Sequence, residues 1–297
     1  MPPKKVIKRA AVAEAMSNPF ATINIDEVNP GKFLLVFGEP GSGKTTTAAH
    51  APAPLIVTTN DEKGIIEAVN AGVVPEEVKD NIIVLPALSD PNKIPAGGHP
   101  AWNELISIMD TMLEEKHTRR TLIIDTASGL QPICHQHCAS LLFNSNMDDP
   151  QGFMNYQQGY LKAAEHYWNG EFLARCNKLT SAGYNVILIC HSTTMNVPNH
   201  GGTDYEAFAP ALIKGAKKEN VYDYTMKTVS AILYFGRHTM LTTSDNKKKV
   251  SSQYGFIGVR DQGWYKAKNW YNLKDEIEAG DSAESTWYNL TDKLPIN

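Results

Sequence analysis

Lys44 and Thr45 carry the first chemistry that can be read from this chain. They close the run Gly38-Glu39-Pro40-Gly41-Ser42-Gly43-Lys44-Thr45-Thr46, which follows an apolar stretch at 33–37 and leads into Thr47, Ala48 and Ala49. The spacing is Gly-x-x-x-x-Gly-Lys-Thr between a strand and a helix-compatible segment, the context in which backbone amides cradle phosphates. Gly38, Gly41 and Gly43 let the backbone wrap closely around an anion. The loop amides and the start of the helix direct positive dipole at it. An ammonium at 44 reaches the β- and γ-phosphates, and a hydroxyl at 45 suits Mg²⁺. The implied ligand is a nucleoside triphosphate with its magnesium ion.

Three further polar groups stand at the ends of apolar runs. Thr121-Leu122-Ile123-Ile124-Asp125 describes a buried strand that delivers one carboxylate to its carboxyl tip, where Asp125 can share a metal ion with Thr45. The strand 54–59 ends in Asn60-Asp61-Glu62-Lys63-Gly64, and ligand contacts collect at such ends in open parallel sheets. The strand 185–190 is capped by His191 and Ser192. This order of parts is that of the additional-strand division of phosphate-loop folds, in which the last of these strands lies beside the loop. His191 can then sense the γ-phosphate, or it can simply face solvent.

The elements that must position these groups follow from periodicity and breakers. A short strand is expected at 81–85, a Pro/Gly loop at 86–100, and helices at 65–71, 102–115 and 160–180. Residues 144–160 read as a surface excursion. From 196 to 220 no periodicity holds, so this stretch is expected as a partly basic loop, either reporting phosphate state to a partner such as DNA or a plain crossover. Later strands are expected at 229–235, 239–243 and 254–259, the first two joined by Gly236-Arg237-His238, with a lysine-bearing turn at 245–249. The fold class is α/β, with a mostly parallel central sheet flanked by helices and late antiparallel strands.

With 297 residues, 42% of them hydrophobic, the chain can bury one large core. A net charge of −4 leaves only local nucleic-acid contacts, such as Lys4, Lys5, Lys8 and Arg9 in the first ten residues, which a solvated tail also explains. Four cysteines without regular spacing point to a reducing compartment. No apolar run approaches the roughly 20 residues of a bilayer span, and the expectation is a cytoplasmic protein. The division expected is a basic arm at 1–30, one nucleotide-binding domain at 31–272 and an acidic tail at 273–297.

Cys134-His135-Gln136-His137-Cys138 invites a zinc reading. On a helix, however, the two cysteines share a face that the two histidines do not, which favours ordinary packing. Trp264, Tyr265, Trp270 and Tyr271 surround Lys266 and Lys268. Such aromatics stack bases of single strands, pack on an adenine, or form core.

Taken together, Gly38 to Thr45, Asp61-Glu62, Leu122-Ile123-Ile124-Asp125-Thr126, Ile187-Leu188-Ile189-Cys190-His191 and Lys266-Ala267-Lys268-Asn269 resemble the RecA-like ATPase core. Within it they are most similar to the AAA-type, single-domain proteins of bacteriophages grouped with recombination and annealing. The resemblance implies Mg-ATP hydrolysis, with Glu62 (Asp61 its rival) polarising the attacking water and His191 as sensor. It also implies that Lys266 and Lys268 act in a neighbouring subunit's site, within a ring or filament on single-stranded DNA. Lys268 departs from the arginine of ring helicases and offers a point charge instead of a planar fork. Possible partners include recombination or replication proteins. A helicase or packaging motor, or an ATP-gated binding module, are the alternatives. A guanine-reading switch lacks its Asn-Lys-x-Asp element, since Asn177-Lys178-Leu179-Thr180 ends in Thr, and a small-molecule kinase leaves the late strands without a use.

Overall fold

β1 (Phe33–Gly38) is buried at all six positions, which a strand reaches only when both faces of its sheet are covered. The computed structural model describes residues 30–90, 93–199, 201–216, 218–244, 247–274 and 276–296. The expected basic arm therefore lies outside the described residues. After β1 come α1 (Lys44–Ala48), β2 (Pro54–Thr58), α2 (Gly64–Asn70), β3 (Ile82–Val84), α3 (Pro100–Glu114), β4 (Thr121–Asp125) and α4 (Ala127–Leu142). Then follow α5 (Gln158–Lys162), a π-helical stretch (Ala163–Leu173), α6 (Ala174–Ser181), β5 (Asn185–Val197), β6 (Tyr205–Pro210) and α7 (Val221–Thr228). The chain ends in β7 (Ala231–Ser244), β8 (Lys247–Gly258), β9 (Lys268–Asn269), β10 (Ile277–Glu278) and α8 (Ala283–Lys293).

The sheet runs β10-β8-β7-β1-β5-β4-β2-β3, with β6 on β5 and β9 on β7. From β7 to β3 the neighbours are parallel, whereas β8, β9, β10 and β6 pair antiparallel. This is the α/β class expected, with β5, the strand that carries His191, inserted between the loop strand and the Asp125 strand. Side chains alternate across the sheet as a period of two requires. Phe33, Leu35 and Phe37 join a cluster with Trp102, Leu130 and Trp168 on one face. Leu34 and Val36 join Ala48, Ile65 and Leu290 on the other.

The structure redraws four sequence-based expectations. Residues 229–243 do not make two strands: β7 runs unbroken through Gly236, Arg237 and His238, each held opposite a residue of β8. Gly and two polar residues look like a connector only because β7 leaves the buried sheet there, with Arg237, Thr239 and Met240 exposed as it continues against β8. Lys247, Lys248 and Lys249 likewise belong to β8 and not to a turn. Between 196 and 220, β6 folds back on the extension of β5 from Ser192↔Pro210 to Val197↔Tyr205, so the stretch is not an irregular loop throughout. Finally, the acidic tail is not detached. Ile277 pairs with Ile257 of β8, and Leu290, Leu294 and Ile296 are buried in the second cluster. A net count of acids concealed these apolar residues, two of which stand four apart at the end of α8 and share a face.

The cysteine–histidine cluster of α4 is packed against its neighbours. Cys134 and Cys138 donate to the carbonyls of Ala163 and Gly159, at 3.6 and 3.7 Å. His135 lies edge-on to Tyr160, and His137 edge-on to Tyr167. His137 Nδ1 accepts the N–H of His99 at 3.1 Å, pinning the start of α3. Burial holds His135 and His137 down at about 4, with His99 adding to the effect on His137. No helix among the described residues is long and apolar enough to cross a membrane.

Candidate nucleotide site

The carboxyl ends of β1 and β4 line one edge of the sheet together with the middle of β5 and of β7, and the register fixes what stands there. Gly38 at the tip of β1 is level with His191 of β5 and with Phe235 of β7. A Cβ on Gly38 would lie 2.2 Å from the Phe235 carbonyl oxygen, so this close approach admits only glycine. Gly43 precedes α1 at φ 87°, a left-handed turn that costs side-chain-bearing residues about 1 kcal/mol or more. α1 spans five residues, so the positive lining of the loop comes chiefly from its own amides and from Lys44. The Lys44 ammonium donates to the Gly38 and Glu39 carbonyls at 2.9 and 2.8 Å and to Ser42 Oγ at 3.2 Å. Its burial lowers its pKa, partly offset by Asp125. Glu39, Pro40 and Gly41 are exposed on the outside of the loop, while Thr46 donates to the Gly43 carbonyl at 3.0 Å.

Thr45 Oγ1 donates to Asp125 Oδ2 at 3.1 Å. Hydroxyl and carboxylate thus converge on one point from α1 and β4. Asp125 is buried, and burial raises its carboxyl to about 6 against the Thr45 hydrogen bond and the charge of Lys44. A buried carboxylate short of compensating positive charge, with a hydroxyl oxygen beside it, is the hard-oxygen donor set that a magnesium ion takes. The pair fits the ion that a triphosphate carries.

Glu62 is drawn into a separate network. Oε1 accepts from Thr126 Oγ1 at 3.2 Å and faces His191 Nε2 at 2.7 Å. Thr126 is also the N-cap of α4, accepting the Gly129 N–H at 3.0 Å, and Ser128 Oγ accepts the His191 backbone N–H at 3.1 Å. Asp61 is exposed and outside this network, so the geometry brings Glu62, not its neighbour, to the site. Nothing in the sequence singles out Thr126 or Ser128, whose reach to Glu62 and His191 depends on how α4 starts after Asp125.

Lys266 and Lys268 are not part of this assembly within one chain. Lys266 Nζ pairs with Asp261 at 2.9 Å and lies 5.8 Å from the centre of the Tyr205 ring. Lys268 Nζ donates to the Met226 carbonyl, lies 5.1 Å from the Trp270 ring, and has its pKa lowered by burial. The aromatics around them divide. Tyr265 is fully buried, whereas Trp264 and Trp270 remain 41% and 66% exposed. Arg237, which sequence reasoning placed in a connector, sends its guanidinium to the Gly41 carbonyl of the phosphate loop.

Among solved structures, a KaiC-like protein from the hyperthermophilic archaeon Pyrococcus horikoshii OT3 aligns at 11% identity and a TM-score of 0.41, over 86% of this chain and 88% of that one. No curated protein matches the chain. The AAA domain family matches residues 31–254, which hold the loop, Glu62, Asp125, His191 and Arg237. By that match the chain belongs to the AAA domain family, and its phosphate loop is that of a nucleotide-binding domain.

Proposed function

We propose that the chain is an ATPase, splitting Mg-ATP to ADP and phosphate, with turnover coupled to assembly on single-stranded DNA. One observation carries the hydrolytic reading: the Glu62 carboxylate is fixed between His191 and Thr126, the residue that follows Asp125 of the Thr45–Asp125 pair. A carboxylate so held can take a proton from water as the water oxygen attacks the γ-phosphorus and the bond to the β-phosphate oxygen breaks. His191 orients that carboxylate and can answer to the terminal phosphate at the same time. Lys44 and the loop amides neutralise charge on the phosphates. Thr45 and Asp125 would hold the magnesium ion, which supplies charge stabilisation to the phosphate oxygens when bound.

Support for the DNA side comes from the exposed Trp264 and Trp270 beside Lys266 and Lys268, a pairing that suits stacked bases and their phosphates. In this reading Lys266 and Lys268 complete a neighbour's site in a ring or filament, and the process served is DNA recombination, annealing or replication. The test is the steady-state ATPase rate per subunit as a function of protein concentration, with magnesium or EDTA and with or without single-stranded DNA. Magnesium-dependent turnover that rises with concentration and DNA is expected. A rate per subunit indifferent to concentration and DNA would remove the coupled-assembly part, and no turnover under any condition would remove the enzyme.

A further inference from the structure

Arg237 stands on the flank of β1 opposite to Glu62 and His191. β7 is parallel to β1 with Phe235 level with Gly38, so Arg237 lies two residues beyond the tip of the loop strand. Alternation puts Arg237 on the face of Phe235 and Leu233, the face that α1 covers, and sends His238 to the other side. There His238 stacks on Phe256 and bonds Glu276 at 2.8 Å. The backbone at 237 is held against Gly255 of β8, and a Cβ on Gly236 would meet the Phe256 and Tyr234 rings within 2.6 Å. The base of the arginine is therefore rigid while its head is exposed.

A guanidinium has five donors, and the contact here is one carbonyl at the crown of the loop, that of Gly41. Among the described residues no ion pair involves Arg237, although it carries a full charge at the rim of an anion site. A neutral carbonyl is a weaker acceptor than a phosphate oxygen, and the planar fork matches phosphate in two parallel hydrogen bonds. We propose that Arg237 is a phosphate-contacting arginine acting within its own chain: on binding a triphosphate its guanidinium leaves the Gly41 carbonyl for oxygens of the terminal phosphate. It would then oppose, from the β7 side, the Glu62–His191 pair on the β5 side and neutralise charge on the transferring group. This rests on the ATPase reading for its effect on turnover but not for its effect on binding.

The test uses the full-length protein with Arg237→Ala and Arg237→Lys, both checked for unchanged melting temperature. Turnover by Arg237→Ala is expected to fall on the order of 10²-fold, with partial recovery in Arg237→Lys and on adding millimolar guanidinium to the alanine variant. Independently, a slowly hydrolysed ATP analogue and ADP are titrated against each protein. Wild type should prefer the triphosphate, and Arg237→Ala should lose that preference while keeping its affinity for ADP. Turnover within twofold of wild type, or an equal loss of affinity for both nucleotides, would overturn the proposal, since a loop brace predicts the latter. If wild type binds nucleotide without hydrolysing it, the ATPase reading fails and the binding titrations alone decide the role of Arg237.

Discussion

The two flanks of the loop strand are built on different plans. On the β5 side, Glu62, His191, Thr126 and Ser128 form a closed network in which each polar group is held by another, and Asp125 is buried beneath it. On the β7 side, one exposed arginine rests on a loop carbonyl above a rigid strand. The first plan fixes geometry before any ligand arrives, at the cost of an ionisable group kept in a poor environment. The second leaves a charge at the rim of the loop, which under the proposal above a phosphate would engage. Preorganised groups suit water and metal, which must be placed, and an exposed cation suits a phosphate, which brings its own charge.

Lys44→Ala tests what the two flanks share. It removes the ammonium that bridges Gly38, Glu39 and Ser42, and a loss of triphosphate affinity on the order of 10²-fold or more is expected in a nucleotide titration. An unchanged affinity would mean that neither flank faces a phosphate.

Asp125→Asn tests the buried flank. A carboxyl whose folded pKa is raised from 3.8 to about 6 binds protons more readily folded than unfolded, so it destabilises the fold above about pH 6. That cost shrinks as pH falls toward 4. The asparagine variant should be more stable than wild type by up to about 3 kcal/mol at pH 7.5, with the difference gone near pH 4, in denaturant titrations without nucleotide. Equal stability at both pH values would show that Asp125 is not a strained ligand position.

His135 supplies the opposite slope from the same helix that carries Thr126 and Ser128. Its pKa is lowered to about 4 by burial, so its neutral form stabilises the fold above about pH 6.5 and that contribution is lost as pH falls toward 4. Among the described residues its buried Nε2 has no hydrogen-bond partner, so His135→Leu removes an unsatisfied polar atom. The variant should lose about 2 kcal/mol less than wild type on going from pH 7.5 to 5. An unaltered slope would place the acid sensitivity elsewhere, and measuring it separates this effect from that of Asp125.

His191→Gln gives the smallest effect. Glutamine can still donate to Glu62, so a fall in turnover of about tenfold with triphosphate affinity within about twofold is expected. A larger loss of affinity than of turnover would make His191 a binding group and not an orienting one.

The closed flank was largely legible in the sequence. β1, β4 and β5 as far as Cys190 are buried, so each reads as an apolar run that stops at Gly38, Asp125 or His191, and their order along the chain implies the order in the sheet. The choice of Glu62 over Asp61 was not legible, because one position along a turn decides which carboxylate faces His191. The open flank was hidden. The apolar run of β7 stops at Phe235, and the Gly236-Arg237-His238 that follows has the composition of a connector although the strand continues against β8. The acidic end reads as a solvated tail for a related reason: Ile277, Leu290, Leu294 and Ile296 are too few and too dispersed to register against six acids.

Glu62→Gln offers the most direct measurement of the hydrolytic reading, made as a pair of nucleotide-binding affinity and turnover on the same protein. Retained ATP affinity, within about threefold, together with turnover lowered by 10²-fold or more is expected for a carboxylate that accepts the proton of the attacking water. Turnover close to that of wild type would contradict it.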